Sequence, residues 1–241
     1  MKIRTDFVTN SSSSSYCVSI IVNTEANERI ELDFYPESED GSSDVIIPLK
    51  EDMDTVISQI KDCESVEELK ALLFNAIELN EIFSEVEDAF AEELEVEFDN
   101  AKYLDMITEA INNDEDGNFE YYADILNDVT MSMSRFQKGM DKITVFEDIK
   151  SVSICEYFTG WGEFARDGFD DFLEKALSND VALEDIDAVR EEFEGKLTED
   201  EIEDIIDQIE NDSICQFDAD ITTTVIIASG EVEKKYRFDA D

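Results

Sequence analysis

Carboxylates supply most of the chemistry that this sequence offers. The 241 residues hold 64 Asp and Glu against 18 Lys and Arg, which gives a formal net charge of −46 at pH 7, and they include no histidine. Without histidine the chain has no imidazole base, no His-based catalytic triad and no imidazole metal ligand. Carboxylates can still act as acid–base pairs, as calcium ligands or as an anionic surface that binds a basic partner.

The clearest metal-binding pattern lies in residues 112–119, which resemble the first half of an EF-hand loop. Gly117 takes the sixth position, and the first, third and fifth positions hold the expected oxygen ligands, Asn112, Asp114 and Asp116. The twelfth position should be a bidentate Glu but is Ala123, so two of the six to eight calcium oxygens are missing. We expect at most weak Ca²⁺ binding at 112–124, and the alternative is a polar turn between two helices.

Patterns for catalysis are weaker. No carboxylate pair can be singled out among 64 acids, and the serine run 11–15 has neither a Gly-x-Ser-x-Gly setting nor a histidine base. The sequence also contains no Walker A motif and no Gly-x-Gly-x-x-Gly. We therefore expect a non-enzymatic protein with no resident cofactor.

The negative charge is concentrated in two segments. Residues 51–134 hold 25 acids against 3 bases and residues 179–212 hold 15 against 2, so together they carry 35 of the 46 net charges. Residues 197–212 contain no Lys or Arg and make seven like-charged pairs at i,i+3 or i,i+4 spacing on a predicted helix. Such pairs cost roughly 0.2–0.5 kcal/mol each, about 1.5–3.5 kcal/mol in all. An ordinary solubilising helix would include lysines.

Two hypotheses account for this acidity. In the first, acidic helix faces bind the basic groove of a nucleic-acid-binding protein and compete there with nucleic acid. Residues 179–212 carry a net charge of −13 on two predicted helices of about 21 Å each, and a duplex of that length carries about 12 charges. In the second, the acidity is a solvated surface of a cytoplasmic protein of unknown role.

The first hypothesis assigns the contacts to two patches. The main patch is Glu199, Asp200, Glu203, Asp204, Asp207 and Glu210, and the second is Glu85, Asp88, Glu92 and Glu93. Replacing Glu199, Glu203 and Asp207 by their amides is expected to stabilise the fold and to weaken partner binding.

The same charge excludes several functions. A phosphate backbone or an anionic membrane would be repelled, so we expect no direct binding of nucleic acid or membrane. No stretch approaches the roughly 20 apolar residues of a membrane span, and the N-terminus lacks the apolar run of a secretory signal. The cysteines form no CxxC motif and are typical of reduced thiols in a cytoplasmic protein; they are Cys17, Cys63, Cys155 and Cys215.

The periodicity of apolar residues predicts the elements that must position these groups. Period-two alternation indicates strands near both ends and in the middle, and helical spacing indicates helices between them. The predicted strands are 16–22, 30–34, 143–146, 152–158, 221–228 and 232–238; residues 94–98 are compatible with a short strand as an alternative to continued helix. The predicted helices are 53–60, 65–77, 82–90, 104–111, 122–133, 169–177, 181–194 and 198–211. Capping boxes mark two helix starts, Ser65-x-x-Glu68 and Thr198-x-x-Glu201.

This order predicts an α+β fold, with an antiparallel sheet built from N-terminal, middle and C-terminal strands and acidic amphipathic helices between them. We expect the two terminal hairpins to share that sheet. Residues 1–15 are expected to form a flexible Ser-rich arm and residues 16–241 a single domain. That domain contains a helical insertion at about 51–142 and the acidic helical pair at about 181–211.

The segment Phe7-Val-Thr-Asn-Ser-Ser-Ser-Ser-Ser-Tyr16 resembles an N-terminal pattern on assorted uncharacterised proteins of Gram-positive, clostridia-like bacteria, in which a phenylalanine replaces the tyrosine. The resemblance covers residues 7–16 and transfers neither fold nor activity. It implies a bacterial or phage-borne cytoplasmic protein. In that setting acidic inhibitors of nucleic-acid-binding enzymes, such as anti-CRISPR and anti-restriction proteins, also occur.

Overall fold

The computed structural model of the chain describes residues 13–33, 46–80, 82–83, 86, 99–114, 117, 119–162, 165–178, 181–211, 214 and 216–240. The strands are β1 (Ser13–Thr24), β2 (Arg29–Leu32), β3 (Ile46–Ile47), β4 (Ile149–Trp161), β5 (Gln216–Ile226) and β6 (Glu231–Ala240). The helices are α1 (Met53–Asp62), α2 (Val66–Asn75), α3 (Asn100–Asn112), α4 (Glu120–Met140), α5 (Ala165–Ala176), α6 (Ile186–Phe193) and α7 (Glu199–Asn211). A 3₁₀ turn, Phe146–Asp148, precedes β4.

The strands form one sheet in the order β2-β1-β4-β5-β6, and neighbours along this path are antiparallel. The short β3 pairs in parallel with β1 beside β2. The N-terminal hairpin β1–β2 and the C-terminal hairpin β5–β6 therefore share the sheet, with β4 between them. The α+β prediction is confirmed.

Alternation along the strands gives the sheet one apolar face. In β5 every second residue is buried, from Phe217 to Val225. The matching residues of β1 and β4 are also buried, and the helices pack on this face. Burial of apolar side chains against the helices, worth roughly 25 cal/mol per Å², is therefore the main force that fixes which face of each strand points inward.

The core on this face is divided into two clusters. The first joins α1 to α4 with one end of the sheet, where it includes Ile20 and Ile154. The second joins α5, α6 and α7 with the other end and is rich in phenylalanine, including Phe158, Phe172 and Phe217. The aromatic rings of the second cluster pack in edge and stacked contacts at 5.6–6.1 Å between centroids.

An ion pair between a buried glutamate and a partly exposed lysine lies where the two clusters meet on β4. Glu156 has the same orientation as Ile154 and Phe158, which belong to different clusters, and it is only 4% exposed. Its Oε1 accepts a hydrogen bond from Lys175 Nζ of α5 at 2.6 Å. The cation offsets the cost of removing a carboxylate from water at this position.

Several sequence predictions differ from the structure or lie outside it. Ser13–Ser15, predicted as part of a flexible arm, belong to β1 and pair with β4. Residues 143–146 are not a strand: Ile143 is buried and Phe146 packs against the core in the connection between α4 and β4. The apolar pattern of this segment arises because Ile143 and Phe146 fill the core, although the backbone does not form a strand. The alternative short strand 94–98 and most of the predicted helix 82–90 lie outside the described residues.

Within the described ranges, no helix combines the length and the apolar character that a membrane-spanning helix needs.

Gly160 permits the close approach of β4 to α5. A Cβ at this position would lie 2.5 Å from Phe217 Cε1 and 2.6 Å from Ala165 Cα.

We predict that Gly160→Ala lowers the free energy of unfolding by about 2 kcal/mol, because β4 and α5 must separate. Urea denaturation measures this loss. Gly195→Ala is the control: its φ is +75° but its Cβ would meet open space, so it should cost about 1 kcal/mol. A loss at Gly160 no larger than at Gly195 would contradict the close approach.

Candidate functional site

The acidic pair of helices begins later in the chain than its apolar pattern predicts. Asp185 caps α6, and its carboxylate accepts a hydrogen bond from the Ala188 N–H at 3.2 Å. Helix α6 therefore has 8 residues and α7 has 13, about 12 and 20 Å in length. The comparison with duplex charge density assumed two helices of about 21 Å and is not met: α7 carries a net charge of −7, whereas a duplex of its length carries about 12 charges.

The sequence at 198–201 starts α7 as predicted. The Thr198 N–H donates to Glu201 Oε2 at 2.8 Å, and the Glu201 N–H donates to Thr198 Oγ1 at 3.3 Å. This reciprocal capping box satisfies two N–H groups at the helix start. The predicted apolar stripe is also confirmed: Ile202, Ile205 and Ile206 are buried, and Ile209 packs partly buried against the same cluster.

The structure places the main predicted patch at the surface. All six of its side chains are exposed on α7: Glu199, Asp200, Glu203, Asp204, Asp207 and Glu210. They differ in their neighbours, because α6 packs along one side of α7 and β6 along the other. The patch is therefore not uniform, and its two rows have different electrostatic surroundings.

Arg190 of α6 forms ion pairs with both carboxylates of the inner row, Glu199 and Glu203, and offsets one of their two charges. Arg190 Nη1 lies 2.7 Å from Glu199 Oε1, and Arg190 Nη2 lies 2.7 Å from Glu203 Oε1. The hydrogen bond to Glu203 raises the pKa of Arg190 above its ordinary value. Helix α7 contains no basic residue, but a neighbouring helix supplies one. Neutralising Glu199 and Glu203 would therefore remove ion pairs, which revises the expectation that their amides stabilise the fold.

The outer row, Asp200, Asp204 and Asp207, lies on the opposite side of α7 from Ile202 and Ile205. Partial desolvation and four neighbouring carboxylates raise the pKa of Asp204 above its ordinary value, although its side chain is exposed. The four belong to Asp200, Asp207, Asp239 and Glu201. Like charges therefore converge on Asp204, and a β6 residue, Asp239, extends the row onto the sheet.

Glu201 fixes α7 to the sheet. Its Oε1 accepts a hydrogen bond from the Phe238 N–H of β6 at 3.3 Å, while its Oε2 closes the capping box with Thr198. Burial works against the charge of Glu201, but these hydrogen bonds outweigh it and hold its pKa below the ordinary value. One carboxylate thus orients the outer row relative to β6.

The described residues include only part of the other predicted sites. The second acidic patch, Glu85, Asp88, Glu92 and Glu93, lies outside the described residues. In the calcium-like segment, Asn112 ends α3 and is exposed, and Asp114 Oδ2 accepts a hydrogen bond from the Phe119 N–H at 2.7 Å. Asp116 is outside the described residues. Among those that are described, no three His, Cys, Asp or Glu side chains are placed to hold a metal ion.

A cluster of titratable groups lies on the sheet face opposite the helices, at Cys155, Tyr157 and Asp220. Burial raises the pKa of the Cys155 thiol and raises that of Tyr157 to about 12. Burial also raises the pKa of Asp220, although Arg237, at 3.8 Å, opposes this. A thiol with a raised pKa is a weaker nucleophile at neutral pH.

Sequence reasoning missed the residues that divide the acidic face. Arg190 precedes its partners Glu199 and Glu203 by 9 and 13 residues, and Asp239 reaches the outer row from a different element. A helical hairpin joined near Gly195 does bring residues at such spacing together, so Arg190 had a detectable signal. Asp239 had none, because its position depends on how β6 packs beside α7.

Substitutions of Asp204 and of its neighbour Glu203 test whether the outer and inner rows differ electrostatically. We predict that Asp204→Asn raises the free energy of unfolding by about 0.5 kcal/mol at low salt, because it removes like-charge repulsion that solvent partly screens. Glu203→Gln makes the same charge change next to it but should lower stability, because it loses Arg190. Thermal and urea unfolding measure both, and two changes of the same sign would contradict the two-row arrangement.

The pH dependence of this prediction has a defined sign. The folded state raises the pKa of Asp204, so ionisation of Asp204 costs stability. The gain from Asp204→Asn should therefore be absent below the ordinary aspartate pKa and should develop as the pH rises through the raised pKa. Unfolding curves collected across this range test it.

The chain matches no protein-family model, no curated protein and no solved structure with which it was compared. Inferences about its function therefore start from its own residues, and above all from the charge, burial and contacts of α6 and α7.

Proposed function

We propose that the chain is a non-enzymatic, cytoplasmic, acidic binding protein. Its α7 face occupies the basic groove of a nucleic-acid-binding protein and competes there with nucleic acid. The observation that carries this proposal is the outer row Asp200, Asp204 and Asp207, which is exposed on the side of α7 opposite its buried isoleucines, in a helix of seven acids and no base.

The spacing of the outer row suits a groove that binds phosphates. Successive carboxylates of the row rise about 6 and 4.5 Å along the α7 axis. Phosphates of one DNA strand rise about 3.4 Å each, so the two linear charge densities agree within a factor of two. Lysine and arginine side chains that neutralise phosphates can therefore meet these carboxylates without large displacement.

The energetics also favour a basic partner. Like charges on α7 repel one another in the free protein, and a cationic groove would relieve that repulsion on binding. The apolar residues Ile202, Ile205 and Ile206 bury the opposite side of α7, and the hydrogen bond from Phe238 to Glu201 ties its start to β6. The carboxylates are thus preorganised, which lowers the entropic cost of association.

Neutralising the outer row should weaken partner binding. We predict that the triple variant Asp200→Asn, Asp204→Asn and Asp207→Asn captures less of a basic nucleic-acid-binding protein from a nuclease-treated bacterial lysate, by about tenfold or more. Added duplex DNA should release the partner from the wild-type protein. Retention should also fall steeply as salt is raised. Mass spectrometry and titration of the purified partner give the measurement.

A second triple variant separates the α7 face from overall charge. Asp105, Asp124 and Asp128 are exposed on α3 and α4, and their replacement by Asn changes the net charge by the same amount. This control should retain the partner. Equal losses in both variants would show that total charge matters and the α7 face does not. A wild-type protein that holds no partner at low salt would support the second hypothesis, acidity as a solvated surface.

A further inference from the structure

Within the described part of the chain, strand β6 is an edge strand with an open hydrogen-bonding side. Among the described residues only β5 pairs with β6. The Phe238 N–H donates to Glu201 and not to β5, so Phe238 faces the open edge. Because the register between β5 and β6 is continuous and backbone groups alternate in an antiparallel pair, the N–H and C=O groups of Val232, Lys234 and Tyr236 also point toward the open edge.

The open part of this edge has defined ends. The turn before Glu231 bounds it on one side, and the hydrogen bond between Phe238 and Glu201 of α7 bounds it on the other. Seven residues, 231–237, lie between these limits, and Lys234 is the middle one. A strand that pairs here in full must therefore be centred on Lys234.

When two copies of this segment are aligned antiparallel, their charges are complementary. Glu231 and Glu233 precede Lys234, whereas Lys235 and Arg237 follow it. These four residues share the sheet face opposite the helices. In an antiparallel pair of two identical segments centred on Lys234, Glu231 of one copy is opposite Arg237 of the other, and Glu233 is opposite Lys235. Opposite charges in directly facing positions stabilise a sheet.

We propose that two copies of the chain associate through β6, antiparallel about a twofold axis at Lys234, so that their sheets become continuous. Three hydrogen-bonded pairs, each exchanging two bonds, would give about six main-chain hydrogen bonds. On the helix side, Val232 of one copy faces Tyr236 of the other. The twofold axis makes the contact self-complementary and closes the assembly at two chains.

Two features oppose this association and set its salt dependence. Lys234 meets its own copy at the axis, and each chain carries a net charge of −46. Salt screens the long-range repulsion, since the Debye length is about 10 Å at 0.1 M, while the directly facing pairs are in contact. The dimer should therefore strengthen as salt is added from low concentration. The α7 contact proposed above should weaken over the same range, so the two proposals fail independently.

An extended acidic peptide fits this edge less well than a second copy does. Lys235 and Arg237 would meet its carboxylates, but Glu231 and Glu233 would also face them and repel them. A uniformly charged edge would serve only to prevent pairing between copies. The division of charge at Lys234 is the feature that selects a second copy.

Charge reversals on either side of Lys234 test the pairing. Glu233→Lys places lysines opposite one another in the homodimer, and Lys235→Glu places glutamates opposite one another. Each variant should weaken self-association by about tenfold or more, although the two change the net charge in opposite directions. An equimolar mixture of the two should restore association as a heterodimer. Sedimentation equilibrium of the full chain gives the dissociation constants, and thermal unfolding checks that each variant folds.

Two further variants address the edge itself. Lys234→Pro removes an N–H that points to the open edge, which an edge strand tolerates, and should abolish association. Lys234→Thr removes the like-charge contact and should tighten the dimer.

The proposal is overturned if the wild-type chain stays monomeric up to about 1 mM in about 0.5 M salt, or if the charge reversals leave the dimer unchanged. Protection of β6 amides by poly-glutamate in a monomeric chain would overturn it too.

Discussion

The pairing of β4 on both of its sides is the constraint on which the rest of the structure depends. The N-terminal hairpin is attached to one side of β4 and the C-terminal hairpin to the other, and both helical groups pack on the same face of this strand. Side chains of β4 must therefore belong to two apolar clusters. Their junction is polar, where Glu156 meets Lys175, so the boundary between the clusters is marked by an ion pair within one continuous sheet.

The acidity is distributed in a way that this architecture tolerates. The most acidic described helix is α7, with a net charge of −7, and it buries an apolar stripe that offsets the repulsion on its exposed side. Some carboxylates also make structural contacts: Glu201 caps α7 and accepts from β6, and Asp185 caps α6. Arg190 compensates part of the α7 face from outside the helix. On α7, four neighbouring carboxylates still act on Asp204.

Much of the fold could be predicted from local patterns. The alternation in β5 and the isoleucine stripe of α7 report burial directly, because a strand repeats every two residues and a helix every 3.6. Ile143 and Phe146 misled the same reasoning, because side chains that fill a core can alternate without forming a strand. Arg190 and Asp239 were missed because their effect on α7 arises only when separate elements pack together.

The wide separation in sequence of the paired strands has a consequence for how the chain is made. Asn23 of β1 donates a hydrogen bond to Ser151 of β4, 128 residues later, and β5 and β6 are synthesised after the seven described helices. Non-local pairing of this kind slows folding, because the entropy of closing a long loop is lost before the strand contacts that compensate for it have formed. We expect α1 to α4 to form on the ribosome well before the sheet that covers their apolar faces. The dense negative charge of residues 51–134 would then keep neighbouring nascent chains apart during that interval.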